Sequence, residues 1–408
     1  MKVLQVNKFF YLKGGSEAYL FSLIDGLKNS GLDVAEFAMI DPNNNGSDWA
    51  PYFVSEIDYN TTSYLEKIQF AGKILYSSEA RKNISKLLDT FKPDIVHLHI
   101  FQHQISPSIL PEINKRGIPI VYTAHDLKSV CPNYKMLSHG HICEKCKGHK
   151  YFNCLVNQCV KNSYLKSSIN MVEMYFHLWR KYYDLIDLII TPSNFYREKL
   201  IEFRFPETKV NHIPNFVDES NFTPNFSHEG YFIYLGRLSE EKGIMTLLKA
   251  MEKVKKGRLL IIGTGPLDLE IQKRIDQAGL KNIEMIGHQK GAALKQYLKN
   301  AMFSIIPSEW YENGPISLLE NFACGKPVIG ANIGGIPEHI DNGVDGVIFK
   351  PKDHDDLAEK INLLLSEPKR LEIMGRAARK KTEKIYSKKL HVQKIISLYD
   401  RLIHRKKV

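Results

Sequence analysis

Short apolar runs alternate with helical patterns along almost the whole of this chain. In the first half such runs occupy residues 3–6, 34–40, 94–99, 119–123 and 188–192. The alternation resumes at Tyr231 and continues to about residue 350. It predicts β/α units arranged around parallel sheets. Because ligands of such sheets bind beyond the carboxyl ends of the strands, the residues just after each run are the first candidates for a binding site.

The length and composition set broad limits on the protein. At 408 residues the chain fits two domains of about 150–200 residues each. No apolar run reaches the ~18 residues of a membrane span, and the opening residues lack the apolar segment of a signal peptide, so we expect a cytoplasmic protein. The 56 basic residues outnumber the 45 acidic ones, which gives a net charge of +11. This excess indicates an anionic partner, either nucleic acid, an acidic membrane surface or a nucleoside diphosphate.

Residues 308–320 combine charge, a turn and a helix start in one short segment. They follow an apolar run at residues 302–307, which predicts a buried strand. Gly314 supplies a tight turn and Pro315 suits the first helical position, so that Glu312 lies in the loop and Glu320 in the second helical turn. The helix N–H groups favour an anion such as a diphosphate, and the carboxylates favour a ligand with many hydroxyls. Alternatively, both acids are ordinary solvated groups beside a capped helix.

Two other segments favour the functional interpretation. Residues 235–243, which include Arg237 and Lys242, follow one apolar strand, and residues 263–265, of sequence Gly-Thr-Gly, follow another. With these residues the chain resembles a family 4 retaining glycosyltransferase of the GT-B fold, over nearly its whole length. Glu312 and Glu320 match the Glu-x7-Glu motif of that family. Arg237 and Lys242 match its diphosphate-binding pair.

The resemblance implies a fold and its boundaries. The fold would be α/β, with two Rossmann-like domains facing across a cleft. The predicted parts are an acceptor-binding domain at 1–205 with a Cys-rich insertion at 131–159, a linker at 206–228, a nucleotide-sugar domain at 229–385, and a helix at 386–408 that packs back on the first domain. Pro206, Pro214 and Pro224 interrupt regular structure in the linker, which agrees with that boundary.

The resemblance also implies roles for site residues. Glu320 would bind the ribose hydroxyls, and Glu312 would bind the donor sugar as a catalytic residue. The other residues assigned to donor binding are Gly14, Gly15, Arg237, Lys242, Gly263, Asn313, Gly314, Pro315 and Ile316. The Asn-Gly-Pro sequence after Glu312 departs from the commoner family pattern, and this departure is expected to alter sugar choice.

His125 is the second predicted catalytic residue. It follows the run at residues 119–123, and Asp126 beside it could orient its ring. The alternative is a structural histidine, but the Thr-Ala-His-Asp sequence resembles the cleft histidine of the family. His97, His99 and His103 could suggest a metal site by their spacing, which the lack of a carboxylate or cysteine in register disfavours.

A cysteine-rich insertion is the most unusual part of the sequence. Five of the six cysteines lie between residues 131 and 159. Cys143 and Cys146 form a Cys-x2-Cys knuckle, and with Cys154 and Cys159 they could supply four thiolates to a structural zinc ion. An iron–sulfur cluster and unligated thiols in a small lid are the alternatives. The segment resembles an insertion in a subset of the family, and no catalytic role is expected for it.

The expected reaction needs no metal or other cofactor. Arg237, Lys242 and helix N–H groups would neutralise the leaving diphosphate in place of a metal ion. The resemblance implies retention through a front-face route in which the departing phosphate takes the acceptor proton. The donor would be a UDP or GDP sugar, and the acceptor a saccharide or lipid-linked saccharide used to build cell-surface polysaccharide.

The sequence also predicts a contact with a membrane. Residues 161–184 are basic and aromatic, which is typical of a helix on the inner face of a membrane; a solvated face over a core stripe is the alternative.

Three other functions were considered. A nicotinamide-dependent oxidoreductase would have the sequence Gly-x-Gly-x-x-Gly after the first strand, which the chain lacks. A nucleotide-sugar 2-epimerase shares the fold. A zinc-containing nucleic-acid-binding protein leaves the Glu, Arg and Lys motifs without a role, so no nucleic acid partner is expected.

Overall fold

The computed structural model describes residues 1–57, 64–254 and 256–407. The chain divides into two units. The first comprises Met1–Ile213 and His391–Val408, and the second comprises Pro214–Leu390. Each unit is described by itself below.

The first unit is built on a six-stranded parallel sheet of order β2-β1-β3-β4-β7-β8. Its strands and helices are β1 (Lys2–Val6), α1 (Gly15–Asn29), β2 (Asp33–Phe37), α2 (Tyr64–Leu75), α3 (Ser78–Phe91), β3 (Ile95–Leu98), α4 (Leu110–Asn114), β4 (Ile120–Thr123), β5 (Leu137–Ser138), β6 (His141–Ile142), α5 (Phe152–Val156), α6 (Tyr164–Trp179), β7 (Leu188–Thr191), α7 (Asn194–Phe203) and β8 (Val210–His212). The five apolar runs of the sequence coincide with β1, β2, β3, β4 and β7, so the strand predictions are confirmed.

Burial explains why these runs form the centre of the sheet. Val3 of β1 pairs with Val34 on one side and Ile95 on the other, and all three side chains are buried. A central parallel strand is covered on both faces, so a continuous apolar run suits it better than an alternating one. Serine side chains then cap several helices; Ser77 accepts from the N–H of Ala80 at the start of α3.

The second unit is also built on a six-stranded parallel sheet, but with a different strand order, β11-β10-β9-β12-β13-β14. Its elements are β9 (Tyr231–Leu235), α8 (Ile244–Met251), β10 (Arg258–Ile262), α9 (Asp268–Ala278), β11 (Ile283–Gly287), α10 (Gly291–Asn300), β12 (Ser304–Ile306), α11 (Ile316–Ala323), β13 (Val328–Ala331), α12 (Ile336–His339), β14 (Gly346–Phe349), α13 (His354–Ser366) and α14 (Pro368–Lys381). The predicted strand at residues 302–307 is confirmed as β12. Pro315 caps α11 rather than occupying its first turn.

The closing helix α15 (Lys388–Lys407) belongs largely to the first unit. Tyr399 on α15 is fully buried and bonds to His97 of β3, and Lys406 pairs with Asp187 at 2.9 Å. These contacts supply polar groups to the first sheet from residues far away in the sequence. Among the described helices, none is both long and apolar enough to cross a membrane.

Candidate active site

Glu312 is the centre of a polar cluster in the second unit. It lies in the loop between β12 and α11 and is 6% exposed. Its Oε1 atom accepts three hydrogen bonds: from Lys242 Nζ at 2.6 Å, from Ser308 Oγ at 2.7 Å and from Trp310 Nε1 at 2.8 Å. No residue in the described part of the chain donates a hydrogen bond to Oε2. One carboxylate oxygen is therefore anchored while the other keeps its capacity to accept.

The charge of Glu312 depends on these partners. Burial alone would raise the pKa of its carboxyl, but the charge of Lys242 and the three hydrogen bonds outweigh burial and lower that pKa. Lys242 also lies 5.2 Å from the centroid of the Trp310 ring. The sequence predicted both charged residues at the site but not their pairing, which joins positions 70 residues apart.

Close backbone packing explains several glycines around this cluster. Gly243 has φ +69°, and a Cβ atom there would lie 1.8 Å from the carbonyl oxygen of Pro307. Gly263 has φ +141°, and its Cβ would lie 1.9 Å from the carbonyl oxygen of Gly236. Glycine is thus required at both positions by the fold. This packing role does not test whether Gly263 binds the donor, so donor binding by Gly263 stays a prediction.

A second glycine loop packs against the backbone of Glu312. Gly335 donates its N–H to the Glu312 carbonyl at 2.7 Å, and a Cβ on Gly334 would lie 2.4 Å from the same oxygen. These two consecutive glycines stand directly before α12, and their packing against Glu312 leaves no pattern in the sequence. Asn215 likewise fixes the loop, because its Nδ2 donates to the Gly314 carbonyl at 2.6 Å.

Glu320 differs from Glu312 in its surroundings. It projects from α11, and no described residue forms a hydrogen bond or ion pair with its carboxyl group. Burial raises the pKa of this carboxyl to about 7, against the opposing charge of Lys295. Arg237 is exposed, and the described residues offer no partner to its guanidinium group. A carboxyl and a guanidinium in this state are available to bind a ligand.

Two predicted contacts in the first unit lie at the start of α1, where Gly14 is the N-cap and Gly15 the first helical residue. Gly14 and Gly15 are exposed. Gly14 has an extended backbone with φ −166°, and a Cβ there would meet only Glu17 Oε2, at 3.7 Å. Nothing in the packing of the described residues therefore requires glycine at position 14.

His125 follows β4 and contacts buried histidines of the first unit. Its Nε2 lies 3.1 Å from His99 Nδ1, and the two rings stack with centroids 5.3 Å apart. Burial lowers the pKa of His125 to about 3. His97 and His99 lie side by side with ring centroids 4.4 Å apart. Asp126, predicted to orient His125, accepts from the backbone N–H of Lys128 at 2.9 Å.

Two cysteines of the insertion, Cys154 and Cys159, lie close together. The N–H of Cys159 donates to the carbonyl of Cys154 at 3.0 Å, and the Cys154 thiol holds the pKa of Cys159 at about 6 through a hydrogen bond. Within the described ranges, no three His, Cys, Asp or Glu side chains are arranged to hold a metal ion. Zinc binding by Cys143, Cys146, Cys154 and Cys159 stays a prediction, which metal analysis of the purified protein would test.

Comparison with known proteins adds relatives in sequence and in structure. A relative at 31% identity over 199 residues is the uncharacterized glycosyltransferase MJ1607 of Methanocaldococcus jannaschii, with 44% of this chain and 51% of that protein aligned. Another, at 25% over 230 residues, is the amylovoran biosynthesis glycosyltransferase AmsK of Erwinia amylovora, with 53% and 56% aligned. The chain thus matches about half the length of these relatives.

Anabaena Alr3699/HepE, solved in complex with UDP-glucose, superposes with a TM-score of 0.69 at 17% identity over 98% of this chain and 100% of that one. This likeness shows the GT-B fold, which has two Rossmann-like units.

Family models cover both halves of the chain. The model of group 1 glycosyl transferases matches residues 217–381, which contain Arg237, Lys242, Glu312 and Glu320. The model of Glycosyltransferase Family 4 matches residues 13–221, about half of the chain, including Gly14 and His125. The chain therefore belongs to glycosyltransferase family 4 and is a group 1 glycosyltransferase.

Proposed function

We propose that the protein is a retaining glycosyltransferase that moves a sugar from a nucleoside diphosphate, UDP rather than GDP, to a saccharide or lipid-linked saccharide of a cell-surface polysaccharide. One observation carries the proposal: two carboxyl groups eight residues apart are in opposite states. Glu312 is an anchored anion with one open oxygen, and Glu320 is a half-buried carboxyl with no hydrogen-bond or ion-pair partner among the described residues. Both states suit a ligand that brings hydroxyl groups.

Each charged group then has a role in the proposed reaction. Oε2 of Glu312 accepts from a hydroxyl of the donor sugar, and Glu320 accepts from the ribose hydroxyls. Arg237 and the remaining donors of Lys242 stabilise the diphosphate as the bond from the anomeric carbon to the phosphate oxygen breaks. The acceptor oxygen forms its bond on the same face of the sugar, and its proton passes to the departing phosphate. His125 binds a sugar hydroxyl from the first unit.

Two observations support UDP as the leaving group and a polysaccharide as the product. HepE, which shares the fold, was solved with UDP-glucose. AmsK is named for amylovoran biosynthesis. Measurements of nucleotide binding test the choice of UDP.

Nucleotide binding tests the donor site directly. Thermal shifts are measured with UDP, GDP, ADP and NAD for the wild type and for Glu320→Ala, Arg237→Ala and the control Glu359→Ala, an exposed acid on α13. UDP should stabilise the wild type and the control, and should stabilise the two site variants much less, because a ligand stabilises only the state that binds it. Stabilisation by NAD alone, or equal UDP shifts in all four proteins, would overturn the proposal.

Product analysis tests the type of reaction. Transfer should persist in excess EDTA, and the anomeric configuration of the new bond should match that of the donor. Inversion would contradict the front-face route. Conversion of the donor to its 2-epimer without an acceptor would support the epimerase instead.

The lipid-linked acceptor is proposed because helix α6 has an inverted polarity. Its buried face carries mostly polar residues: Ser167, Asn170, Glu173, Met174 and His177. Its exposed face carries Leu165 (64% exposed), Val172 (45%) and Trp179 (73%). These three residues recur every seven positions and so share one side of the helix. This burial supports the membrane contact over the alternative in the sequence, a solvated face over an apolar core stripe.

Buried ionic contacts hold α6 in this orientation. Glu173 is fully buried and pairs with Lys128 at 2.8 Å and with His103 at 3.2 Å. Burial alone would raise the pKa of Glu173, but these two neighbours outweigh burial and lower it strongly. Turning the apolar face inward would break this network and leave buried charges unpaired. The exposed apolar stripe, next to the exposed bases Lys166 and Arg180, fits an anionic membrane surface.

Vesicle binding tests the membrane contact. The wild type should sediment with vesicles containing anionic phospholipid at low salt, and the triple variant Leu165→Ser, Val172→Ser, Trp179→Ser should not. Leu269→Ser is the control, because Leu269 is 88% exposed but lies on α9 of the second unit. Equal binding of the triple variant and the control would remove the membrane from the proposal without affecting the donor site.

A further inference from the structure

One tryptophan side chain contacts both members of the ion pair in the second unit. The indole Nε1 atom of Trp310 donates to Glu312 Oε1 at 2.8 Å, and the ammonium group of Lys242 lies 5.2 Å from the centroid of the same ring. Lys242 itself donates to Glu312 Oε1 at 2.6 Å. A single aromatic side chain therefore binds an anion through its N–H group and a cation through its π system.

The backbone fixes the two segments that carry these side chains. The N–H group of Glu309 donates to the Glu241 carbonyl at 2.9 Å. Gly243 lies so close to the Pro307 carbonyl oxygen that a Cβ atom would come within 1.8 Å of it. The loop that carries Trp310 is thus attached to the turn that carries the lysine through backbone groups alone. The position of the indole does not depend on the ion pair that it contacts.

Both contacts of the indole restrain a charged group without using the atoms that a ligand needs. An aromatic face attracts an ammonium group but takes up none of its N–H groups. Among the described residues Lys242 Nζ donates one hydrogen bond, to Glu312, so two of its three N–H groups remain for a ligand. The indole N–H group likewise reaches only Oε1 of the carboxylate, and Oε2 remains to accept.

The indole also contributes to the charge of the carboxylate. Burial would raise the pKa of the Glu312 carboxyl, but the charge and the hydrogen bond of Lys242 outweigh burial and lower that pKa. Hydrogen bonds from Ser308 and Trp310 add to this lowering. A donor to a carboxylate stabilises its ionised form, so removing the indole N–H group should raise the pKa of Glu312.

We propose that Trp310 is a positioning residue with two separable functions: its N–H group orients the Glu312 carboxylate for a sugar hydroxyl, and its ring orients the Lys242 ammonium group for the leaving diphosphate. The identity of these two ligands rests on the proposed transferase function. The contacts of the indole rest only on residues of the second unit. Loss of either contact should therefore affect a different measurable property.

NMR of the indole N–H groups tests the contact with Glu312 without any assay of activity. The chain has three tryptophans, at positions 49, 179 and 310, so nitrogen-15 labelling of the full-length protein gives three indole signals, and Trp310→Phe identifies one of them. That signal should exchange slowly with solvent. It should also shift strongly in Glu312→Gln, because an amide oxygen accepts a weaker hydrogen bond than a carboxylate does. A Trp310 signal that is unchanged in Glu312→Gln would overturn the proposal.

Two substitutions of Trp310 separate its two contacts. Trp310→Phe keeps a ring for Lys242 but has no N–H group, whereas Trp310→Gln has an amide N–H donor of similar reach but no ring. In Trp310→Phe the acidic limb of the kcat/KM pH profile should move up by roughly one pH unit, because the ionised Glu312 loses a donor. Calorimetric titration should show UDP affinity near that of the wild type. In Trp310→Gln UDP should bind about threefold to tenfold more weakly, with the acidic limb nearly unchanged.

Trp49→Phe is the matched control for these variants. Trp49 is a tryptophan of the first unit that packs on Phe91 with ring centroids 5.0 Å apart, so its substitution should change neither the pH profile nor the affinity for UDP. Equal changes of both properties in Trp310→Phe and Trp310→Gln would mean that the indole only fills space, and would refute the two functions. If the wild type bound no UDP and transferred no sugar, the proposed function would fail, while the indole signal would still decide whether Trp310 holds Glu312.

Discussion

Both units contain a six-stranded parallel sheet, but the polar groups around His125 in the first unit differ from those around Glu312 in the second. In the first unit the groups linked to His125 are neutral, and a chain of hydrogen bonds leads from His125 through His99 to Gln5. In the second unit the buried group is an anion, Glu312, held by Lys242. A series of hydrogen bonds between neutral side chains determines which atom donates each bond. An ion pair instead determines where a charge is held. The described contacts therefore orient hydrogen bonds around His125 in the first unit and fix the position of a charge in the second.

The largest expected effect comes from breaking the ion pair of the second unit. Lys242→Met leaves the Glu312 carboxylate buried without its cation. Transfer should fall about 10²–10³-fold, because a group that stabilises developing charge is lost. The free energy of unfolding should fall by about 2 kcal/mol. Kinetic assays and urea unfolding measure the two effects.

The double variant Lys242→Met, Glu312→Gln separates these two effects. Removing both charges should restore most of the stability, because the amide oxygen that replaces the carboxylate can still accept from Ser308 and Trp310. Activity should stay low. If the double variant were no more stable than Lys242→Met, the pair would not be energetically coupled.

The next effect concerns glycines required by packing in the second unit. Gly243→Ala forces a Cβ to within 1.8 Å of the Pro307 carbonyl oxygen, so unfolding should become easier by about 3 kcal/mol or more. Gly279→Ala is the matched control, because Gly279 has φ +62° and no atom within 4 Å of its Cβ. The control should cost only the ~1 kcal/mol of a left-handed backbone. Equal losses measured by urea unfolding would show that the loop yields to the added atom.

A smaller effect distinguishes Glu320 from Glu312 by pH. Burial raises the pKa of Glu320 to about 7 from its ordinary value of 4.5, so the folded state binds a proton that the unfolded state releases. Below pH 4.5 this carboxyl does not reduce the free energy of unfolding, because it is protonated in both states. The reduction grows between pH 4.5 and 7 and reaches its full size above pH 7. Glu320→Gln should therefore be more stable than the wild type at about pH 8, by on the order of 2 kcal/mol, and equally stable near pH 4.5. A constant difference in unfolding free energy across this range would contradict the raised pKa.

The same carboxyl makes nucleotide affinity depend on pH. Ribose hydroxyls donate to the ionised form, so UDP should bind the wild type more tightly as the pH rises through about 7. Titration of the UDP phosphates affects both proteins alike, so the difference between wild type and Glu320→Gln isolates the carboxyl. A pH dependence that persists unchanged in the variant would place the ribose elsewhere.

The sequence predicted what is local and missed what is distant. Apolar runs indicated the strands because a central parallel strand is apolar on both faces, and the turn residues placed Glu312 and Glu320 around the start of α11. Hydrogen bonds between residues far apart left no such pattern. Gln5 and Tyr399 are 394 positions apart, and Gln5 looks like an ordinary polar residue in an apolar strand. Its unusual feature, visible in the sequence, is that it interrupts a buried run.

The polarity of α6 shows a different limit. Its composition indicated a basic and aromatic helix, but composition alone does not say which face is buried. The partner of Glu173 is Lys128, which lies before the cysteines and 45 positions away. This pairing, together with the contact between His103 and Glu173, holds the polar face of α6 inside and leaves Trp179 exposed.

The smallest expected effect on stability concerns Gly14, which is not closely packed, unlike Gly243 in the second unit. Gly14 of the first unit needs no special backbone conformation, and a Cβ there meets nothing closer than 3.7 Å. Gly14→Ser should leave the free energy of unfolding within about 0.5 kcal/mol of the wild type, since serine is also a good residue at the N-cap of a helix. If the backbone of this loop contacts a sugar or phosphate, the added side chain should raise KM about tenfold, a loss comparable to one hydrogen bond. Unchanged kinetics in a stable Gly14→Ser protein would mean that the loop does not approach the substrate, and would confine the binding chemistry of the first unit to His125.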